Sequence, residues 1–404
     1  MSARSKVSLV KLAAYDLPGV VRAMRELLEP LGGMSTFVTP GQKVLLKPNV
    51  LGPFAPERAV TTHPTVLEAA AVLIQEAGGI VYAGDSPGVG PFRAGARRAG
   101  LLDVMDRLGI EEADFDTPDE ADVPDHSIVP TLGLAQAVAD ADVIISLPKL
   151  KTHAQMVMTG AVKNQYGLIP GPTKGQWHFR LQNPDWLAKL MIDINKAAKP
   201  ALAVMDAVVA MEGEGPAGGE PRQVGALLAG TDLVAVDAVA CQLIGLEQDA
   251  VPILRVASEL GFGTTTLDDI DVVGADWQEL AVPDFDNVSQ MHSTLRLLPL
   301  PQWCLKWVRA HWTARPRINP DRCVRCGICA RGCPVSPPAI DPFAEPAGAV
   351  DDARCIRCYC CHEFCPEKAI DLKRSRVERF LHLDAAVRAV CRKFGRLLAV
   401  FMAR

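Results

Sequence analysis

Over residues 5–275, short apolar runs alternate with longer stretches whose apolar positions recur at helical spacing. "KVLLKPN" (43–49) has the pattern of a buried strand. "HPTVLEAAAVLIQEAGG" (63–79) predicts a helix with Pro64 in its first turn, Thr65 and Glu68 at capping-box spacing and Gly78 at its end. "IVYAGDSPG" (80–88) predicts a strand and turn, and 92–108 a helix. "DVIISLPKLKTH" (142–153) predicts a strand running into a polar loop. "NPDWLAKLMIDINKAAKP" (183–200) predicts a helix capped by Asn183, with Pro184 at its first position. "ALAVMDAVVAMEGEGP" (201–216) predicts a strand and a Gly-rich loop, 232–245 and 251–261 two helices, and 269–274 a last strand.

This alternation predicts an α/β domain, a mostly parallel sheet with helices on both faces. Ligands of such sheets bind outside the carboxyl ends of the strands, so the polar residues that follow each strand carry information. Lys47 and Asn49 follow one strand, Asp85 and Ser86 another, Lys149, Lys151, Thr152 and His153 a third, and Asp206, Glu212 and Glu214 a fourth. The loop after 153 adds Lys163, Asn164, Lys174 and His178. Lys47, Lys149, Lys151, Lys163 and Lys174 at one edge, with Asn49 and Asn164, form a candidate site for a carboxylate or phosphate. The alternative is five separately solvated lysines. His153 and His178, with Asp85, are candidate proton-transfer groups. Singly, each histidine is more often structural or capping, and His63, just before Pro64, suits a helix cap.

The 404 residues are enough for one large α/β domain with appendages. A net charge of −5 with 5% aromatic content argues against a nucleic-acid partner. No apolar run reaches the roughly 18 residues of a spanning helix. Lys11 and Asp16 interrupt the first apolar stretch too early for a secretory signal, so the expected location is cytoplasmic.

Nine of the twelve cysteines fall between Cys323 and Cys365. Cys323, Cys326, Cys329 and Cys333 precede Pro334, and Cys355, Cys358, Cys361 and Cys365 precede Pro366. Each set fits C-x2-C-x2-C-x3-C-P, the rhythm of bacterial two-cluster ferredoxins, in which the fourth cysteine serves the other cluster. Two [4Fe–4S] clusters are expected. Cys323, Cys326, Cys329 and Cys365 would hold one, and Cys355, Cys358, Cys361 and Cys333 the other, with Cys360 outside the rhythm. Gly327 and Gly332 would let backbone N–H groups approach the sulfurs. Zinc is the alternative, but zinc ribbons need neither a third cysteine at the same step nor the terminal C-P. Residues 318–373 closely resemble the bacterial-type dicluster ferredoxin domain, apart from a long Pro-rich insert, "PVSPPAIDPFAEPAGAVDD". Arg322, Arg325, Arg331, Arg354 and Arg357 lie close to the ligands, there to tune the clusters, to face acidic surfaces, or as a solvated rim.

The front part carries no dinucleotide fingerprint, P-loop or nucleophile elbow. The words "KPN", "THP", "GDSPG", "LPKLKTH", "TGAVKNQYG" and "AMEGEGP" occur in one order across 47–216. Together they resemble the large family numbered 362 among domains of unknown function, over roughly residues 5–275. The resemblance implies domain limits and an iron–sulfur link but no substrate and no catalytic role.

Between the domains, 276–317 is a linker in which Trp303 and Trp307 stand one helical turn apart. The tail, 374–404, is basic, with Phe380, Leu383, Val387, Val390 and Phe394 at helical spacing. Both are expected to pack on protein; the alternative is peripheral contact with a membrane interface.

The combined expectation is a ferredoxin-coupled oxidoreductase with a redox partner protein and a small anionic substrate. Two alternatives stand beside it: a non-catalytic electron-transfer or docking subunit, and a non-redox enzyme with structural clusters.

Overall fold

The computed structural model describes residues 4–373 except 89, 126, 172, 182, 289–313 and 346–347, so Trp303, Trp307 and the tail from 374 lie outside the described residues. The chain divides into two compact units, Met1–Val288 and Ser289–Arg404.

The first unit is built on strands β1 (Ser5–Lys11), β2 (Lys43–Pro48), β3 (Ile80–Ala83) and β4 (Glu111–Glu112). A separate two-stranded ribbon follows, β5 (Pro118–Ala121) with β6 (Leu132–Ala135). The sheet then continues with β7 (Val143–Leu147), β8 (Lys149–His153), β9 (Val157–Thr159), β10 (Leu202–Glu212), β11 (Glu220–Gly230) and β12 (Ile270–Gly274). Its main path runs β12-β1-β11-β10-β7-β2-β3-β4, with β8 pairing β10 and β9. Along that path only β11 runs against its neighbours, so the sheet is mostly parallel.

Alternate residues of each strand feed two cores. On β2, Val44 and Leu46 join the core of helices α1 (Leu17–Leu28) and α2 (Pro64–Glu76), while Leu45 joins the opposite one. Helices α3 (Phe92–Arg98) and α4 (Leu101–Leu108) also lie on the α1 side. After α5 (Gln136–Ala139), α6 (Ala161–Asn164) and α7 (Thr173–Arg180), the long helices α8 (Pro184–Ala198), α9 (Leu233–Leu243) and α10 (Pro252–Leu260) pack on the other face. The expected sheet with helices on both faces is therefore present. Burial is near total on central strands because both faces are covered.

Four local readings are corrected. The 92–108 stretch is two helices, separated at Gly100. The Thr65/Glu68 capping box gives way to the cap expected at His63, whose side chain accepts the Thr65 N–H, and Glu68 pairs with Arg107 at 2.6 Å. The polar loop expected after Leu147 is strand β8, buried along its whole length. Strand β11, which the sequence reading passed over, pairs with β10 across a register shift between Ala207 and Val209.

Chain direction defines the site. From β2 the chain moves outward to β3 and β4, whereas from β7 it moves the other way to β10. The crossover reversal lies between β2 and β7, where Lys47 sits opposite Ser146 and Pro48 opposite Leu147. A crevice at such a point is where open α/β sheets bind ligands.

In the second unit, β13 (Arg315–Ile318) pairs antiparallel with β16 (Ile370–Lys373), and β14 (Ile340–Asp341) with β15 (Ala349–Val350). Each cysteine repeat begins with the same turn. Cys323 N–H donates to Asn319 O (3.0 Å), and Cys355 N–H to Asp351 O (2.9 Å). Each carries one short helix, Ile328–Arg331 or Cys360–Glu363.

Candidate functional site

Most of the lysines gather at the carboxyl ends of β2 and β7, the candidate crevice, where Lys47 is paired with a carboxylate. Lys47 is fully buried at the end of β2, its Nζ 2.8 Å from Asp85 Oδ1 and 3.4 Å from Asn164 Oδ1. Burial lowers the Lys47 pKa, and Asp85 pulls it back up. The other Asp85 oxygen accepts Val50 N–H at 2.7 Å. Gly167 seats this pair: a Cβ there would fall on Asp85 Oδ1 and lie 2.7 Å from Lys47 Nζ, so only glycine fits. Asn164 also donates to Ser146 Oγ (2.9 Å), tying α6 to β7. Lys151 donates to Asn49 Oδ1 (2.7 Å) and Val60 O (2.8 Å).

Lys174, on α7, is half-buried and bonds the Ser86 carbonyl. Burial pulls its pKa down to about 7; Asp85 raises it, and Lys47 and Lys163 lower it further. Lys163 is half-buried, its Nζ 5.9 Å from the Tyr166 ring centre. Lys47, Lys163 and Lys174 thus act together with Asp85, an excess of positive charge suited to a small anion.

Lys149 belongs to a neighbouring cluster. Its Nζ lies 2.8 Å from Asp206 Oδ2 and donates to Tyr15 Oη at 2.9 Å. Tyr15 donates to Asp206 Oδ1 (2.6 Å), and its ring stacks on His63 at 3.6 Å between centres, 5° from parallel. Asp206 Oδ2 also accepts His63 N–H at 3.0 Å. Burial, then Asp206, raises the Tyr15 pKa well above the phenol value. Burial holds His63 at about 4, so its imidazole is neutral near pH 7. Tyr15 stands just past β1 on the same carboxyl edge as the other groups. That edge rule, applied to β1, is the signal that finds it.

Two histidine candidates remain. His153 is buried at the end of β8, and its Nδ1 accepts Gln155 N–H and Met156 N–H, both at 3.1 Å, fixing the turn into β9. His178 belongs to α7, and its side chain lies outside the described residues.

In the second unit the eight rhythmic cysteines separate into two pockets. Cys323, Cys326, Cys329 and Cys365 line one, with Val324, Gly327 and Ile370. Cys333, Cys355, Cys358 and Cys361 line the other, with Ile356, Tyr359 and Val350. Each pocket therefore takes three thiols from one repeat and the fourth from its partner repeat. Ala339 N–H donates to Cys333 Sγ (3.4 Å) and Ala369 N–H to Cys365 Sγ (3.2 Å), the kind of bond that steadies a ligating thiolate. Burial raises the thiol pKa of Cys329 to about 11 and pushes up those of Cys355, Cys361 and Cys365. Thiolates in such pockets need a cation's charge beside them. Four sulfurs, apolar walls and N–H donors to sulfur fit a [4Fe–4S] cluster in each pocket. Arg325 pairs with Glu345 (2.9 Å), Arg322 with Asp371 and Arg354 with Asp351 (4.0 Å), so these rim arginines are balanced within their own unit.

The thylakoid-associated protein sll1697 of Synechocystis sp. (strain ATCC 27184 / PCC 6803 / Kazusa) is 40% identical over 260 residues, covering 64% of this chain and 80% of that protein. The model of the domain of unknown function DUF362 matches residues 44–242. The chain belongs to the DUF362 family. A 4Fe-4S binding domain is matched at 316–337, so the DUF362 unit is fused to an iron–sulfur domain. The lactate racemase apoprotein of Thermoanaerobacterium thermosaccharolyticum aligns at a TM-score of 0.39 and 13% identity, over 60% of this chain and 56% of its own, too distant to bear on chemistry. Every group of the crevice and of the neighbouring cluster except Tyr15 falls inside the DUF362 match. Among the described residues, no helix is long and apolar enough to cross a membrane.

Proposed function

We propose that this protein is an iron–sulfur oxidoreductase in which two [4Fe–4S] clusters serve a small carboxylate or phosphate ester held in the crevice between β2 and β7. The observation that carries this reading is the sorting of eight cysteines into two pockets of four. Bound there, each cluster supplies a one-electron couple. The cysteines hold it, and the Ala339 and Ala369 N–H groups fix two of the sulfurs. In the crevice, Lys47 stays locked to Asp85, while Lys163 and Lys174 orient the anion. Lys174 Nζ, poised near neutrality, holds the proton that the reaction needs.

Anaerobic purification tests the cluster half: about eight irons and eight sulfides per chain are expected, and a colourless protein holding zinc would refute it. Calorimetry with inorganic phosphate and with oxalate tests the anion half, with Lys174→Ala expected to abolish the heat. Redox cycling of the clusters near physiological potentials separates this reading from structural clusters.

A second reading is an electron-transfer subunit docked at a membrane surface, favoured by the thylakoid association in the name of the Synechocystis relative. Co-sedimentation with anionic-lipid vesicles, without turnover of any anion, would select it.

A further inference from the structure

The two cysteine repeats align residue for residue in sequence, Cys323–Cys333 with Cys355–Cys365, which makes their differences informative. Gly327 follows Cys326, and Tyr359 holds the equivalent place after Cys358. Both have left-handed backbone, at φ 74° and 62°. That conformation costs a tyrosine roughly 1–3 kcal/mol, so the side chain must return something. It closes a pocket. The Tyr359 ring is 7% exposed and lines the cavity of Cys333, Cys355, Cys358 and Cys361, and its hydroxyl donates to Ala314 O at 3.0 Å. Cys358 beneath it is buried.

At Gly327 the repeat itself carries no side chain, Arg331 and Phe343 reach toward that position from elsewhere in the unit, and Cys326 is exposed. Val324, which also lines that cavity, is 64% exposed, whereas its counterpart Ile356 is half-buried. Phe343, near the Gly327 backbone, is 59% exposed. At equivalent places the first site is thus the more exposed, Cys326 against the buried Cys358 and Val324 against the half-buried Ile356.

Resting on the proposed pair of clusters, we propose that the Cys323/Cys326/Cys329/Cys365 site is the port for electron exchange with an external one-electron protein carrier, and that Tyr359 keeps the other site sealed from water. In the exchange a single electron passes between carrier and cluster: one is oxidised and the other reduced, with no bond made or broken and no proton moved. Tyr359 acts on the sealed site by covering it and is a positioning residue.

The test uses the full-length holoprotein under argon and the water-soluble ferrous chelator bathophenanthroline disulfonate. Wild-type protein should release iron in two phases of equal amplitude. Tyr359→Gly should move the slow half into the fast phase, and Gly327→Tyr should slow the fast half. Gly327→Tyr should also slow reduction by a reduced bacterial-type ferredoxin at least threefold, and Tyr359→Gly should leave that rate unchanged. Tyr359→Phe, which keeps the ring, should behave as wild type in the chelator assay. An iron count that is not about eight per chain overturns the underlying cluster reading. A full count with single-phase release, or with Tyr359→Gly indistinguishable from wild type, overturns the inference alone. Slower ferredoxin reduction in Tyr359→Gly than in Gly327→Tyr overturns the assignment of the port.

Discussion

Lys149 Nζ lies 2.8 Å from Asp206 Oδ2, and water reaches neither side chain. The two are 57 residues apart in sequence and adjacent in register on β8 and β10. Tyr15 bonds both, so the ion pair is a three-membered unit that ties the segment after β1 to the sheet. Removing one charge leaves the other buried and unpaired, a loss of about 3–5 kcal/mol. Lys149→Met and Asp206→Leu should each destabilise the DUF362 unit by that much in urea unfolding followed by far-UV circular dichroism. The double variant should recover most of the loss, and an additive double loss would show that the pair is not the source.

Gly167 sets a separate limit on the crevice. A methyl group there must displace Asp85 or the Lys47 ammonium. Gly167→Ala should cost about 1–3 kcal/mol and abolish phosphate binding in calorimetry. Gly133→Ala, whose new carbon would meet nothing closer than Pro118 at 3.9 Å, is the matched control and should be silent.

The crossed ligand sets make a third expectation. Cys365→Ser should damage the same cluster as Cys323→Ser, although the two residues belong to different repeats, and Cys333→Ser the same cluster as Cys355→Ser. Electron paramagnetic resonance of the reduced variants checks this, since each pair should retain one common spectrum. Spectra that group by repeat instead would mean that each repeat closes on itself.

Lys174 gives the crevice a pH signature. With its pKa near 7, it is cationic below that pH and neutral above, under the influence of Asp85, Lys47 and Lys163. Phosphate and oxalate should therefore bind more tightly at pH 6 than at pH 8, oxalate being the cleaner probe because its own charge is constant there. The oxalate difference should vanish in Lys174→Arg, which stays charged.

What the sequence disclosed follows from how local each signal is. The cysteine rhythm is legible because the first three cysteines of each repeat are separated by two residues and the fourth by three. Pro64 and Asn183 mark their helices because caps act within one turn. Strand β8 was unreadable for the opposite reason. Lys149, Lys151 and His153 look like loop residues, and the two ammonium groups find partners far along the chain, among them Asp206 and Asn49. Strand β11 escaped because Gly225 and Gly230 and the register shift opposite interrupt its alternation. Tyr15 carries no local pattern: its partners are 134 and 191 residues away.

Asp237, buried, and His63, half-buried, pull stability in opposite directions. Asp237, on α9, accepts Ala161 N–H (2.5 Å) and Val162 N–H (3.1 Å) at the start of α6. Burial nonetheless raises its pKa from 3.8 to about 7. Between those values the unfolded chain has lost the proton and the native one keeps it, so stability falls as pH rises, by about 1.4 kcal/mol per pH unit at full slope. His63 shifts from 6.5 down to about 4. Over that range the unfolded chain holds the extra proton, so stability rises with pH. The two slopes oppose each other from about pH 4 to 6.5. Asp237→Asn should therefore give a protein whose melting temperature climbs from pH 5 to 6.5 more steeply than that of wild type. His63→Asn, which keeps a cap, should give one whose melting temperature falls. Far-UV melts at pH 5, 5.75 and 6.5, with visible absorption reporting the cluster domain separately, decide the matter: parallel curves for the three proteins would mean that neither group titrates where its surroundings place it.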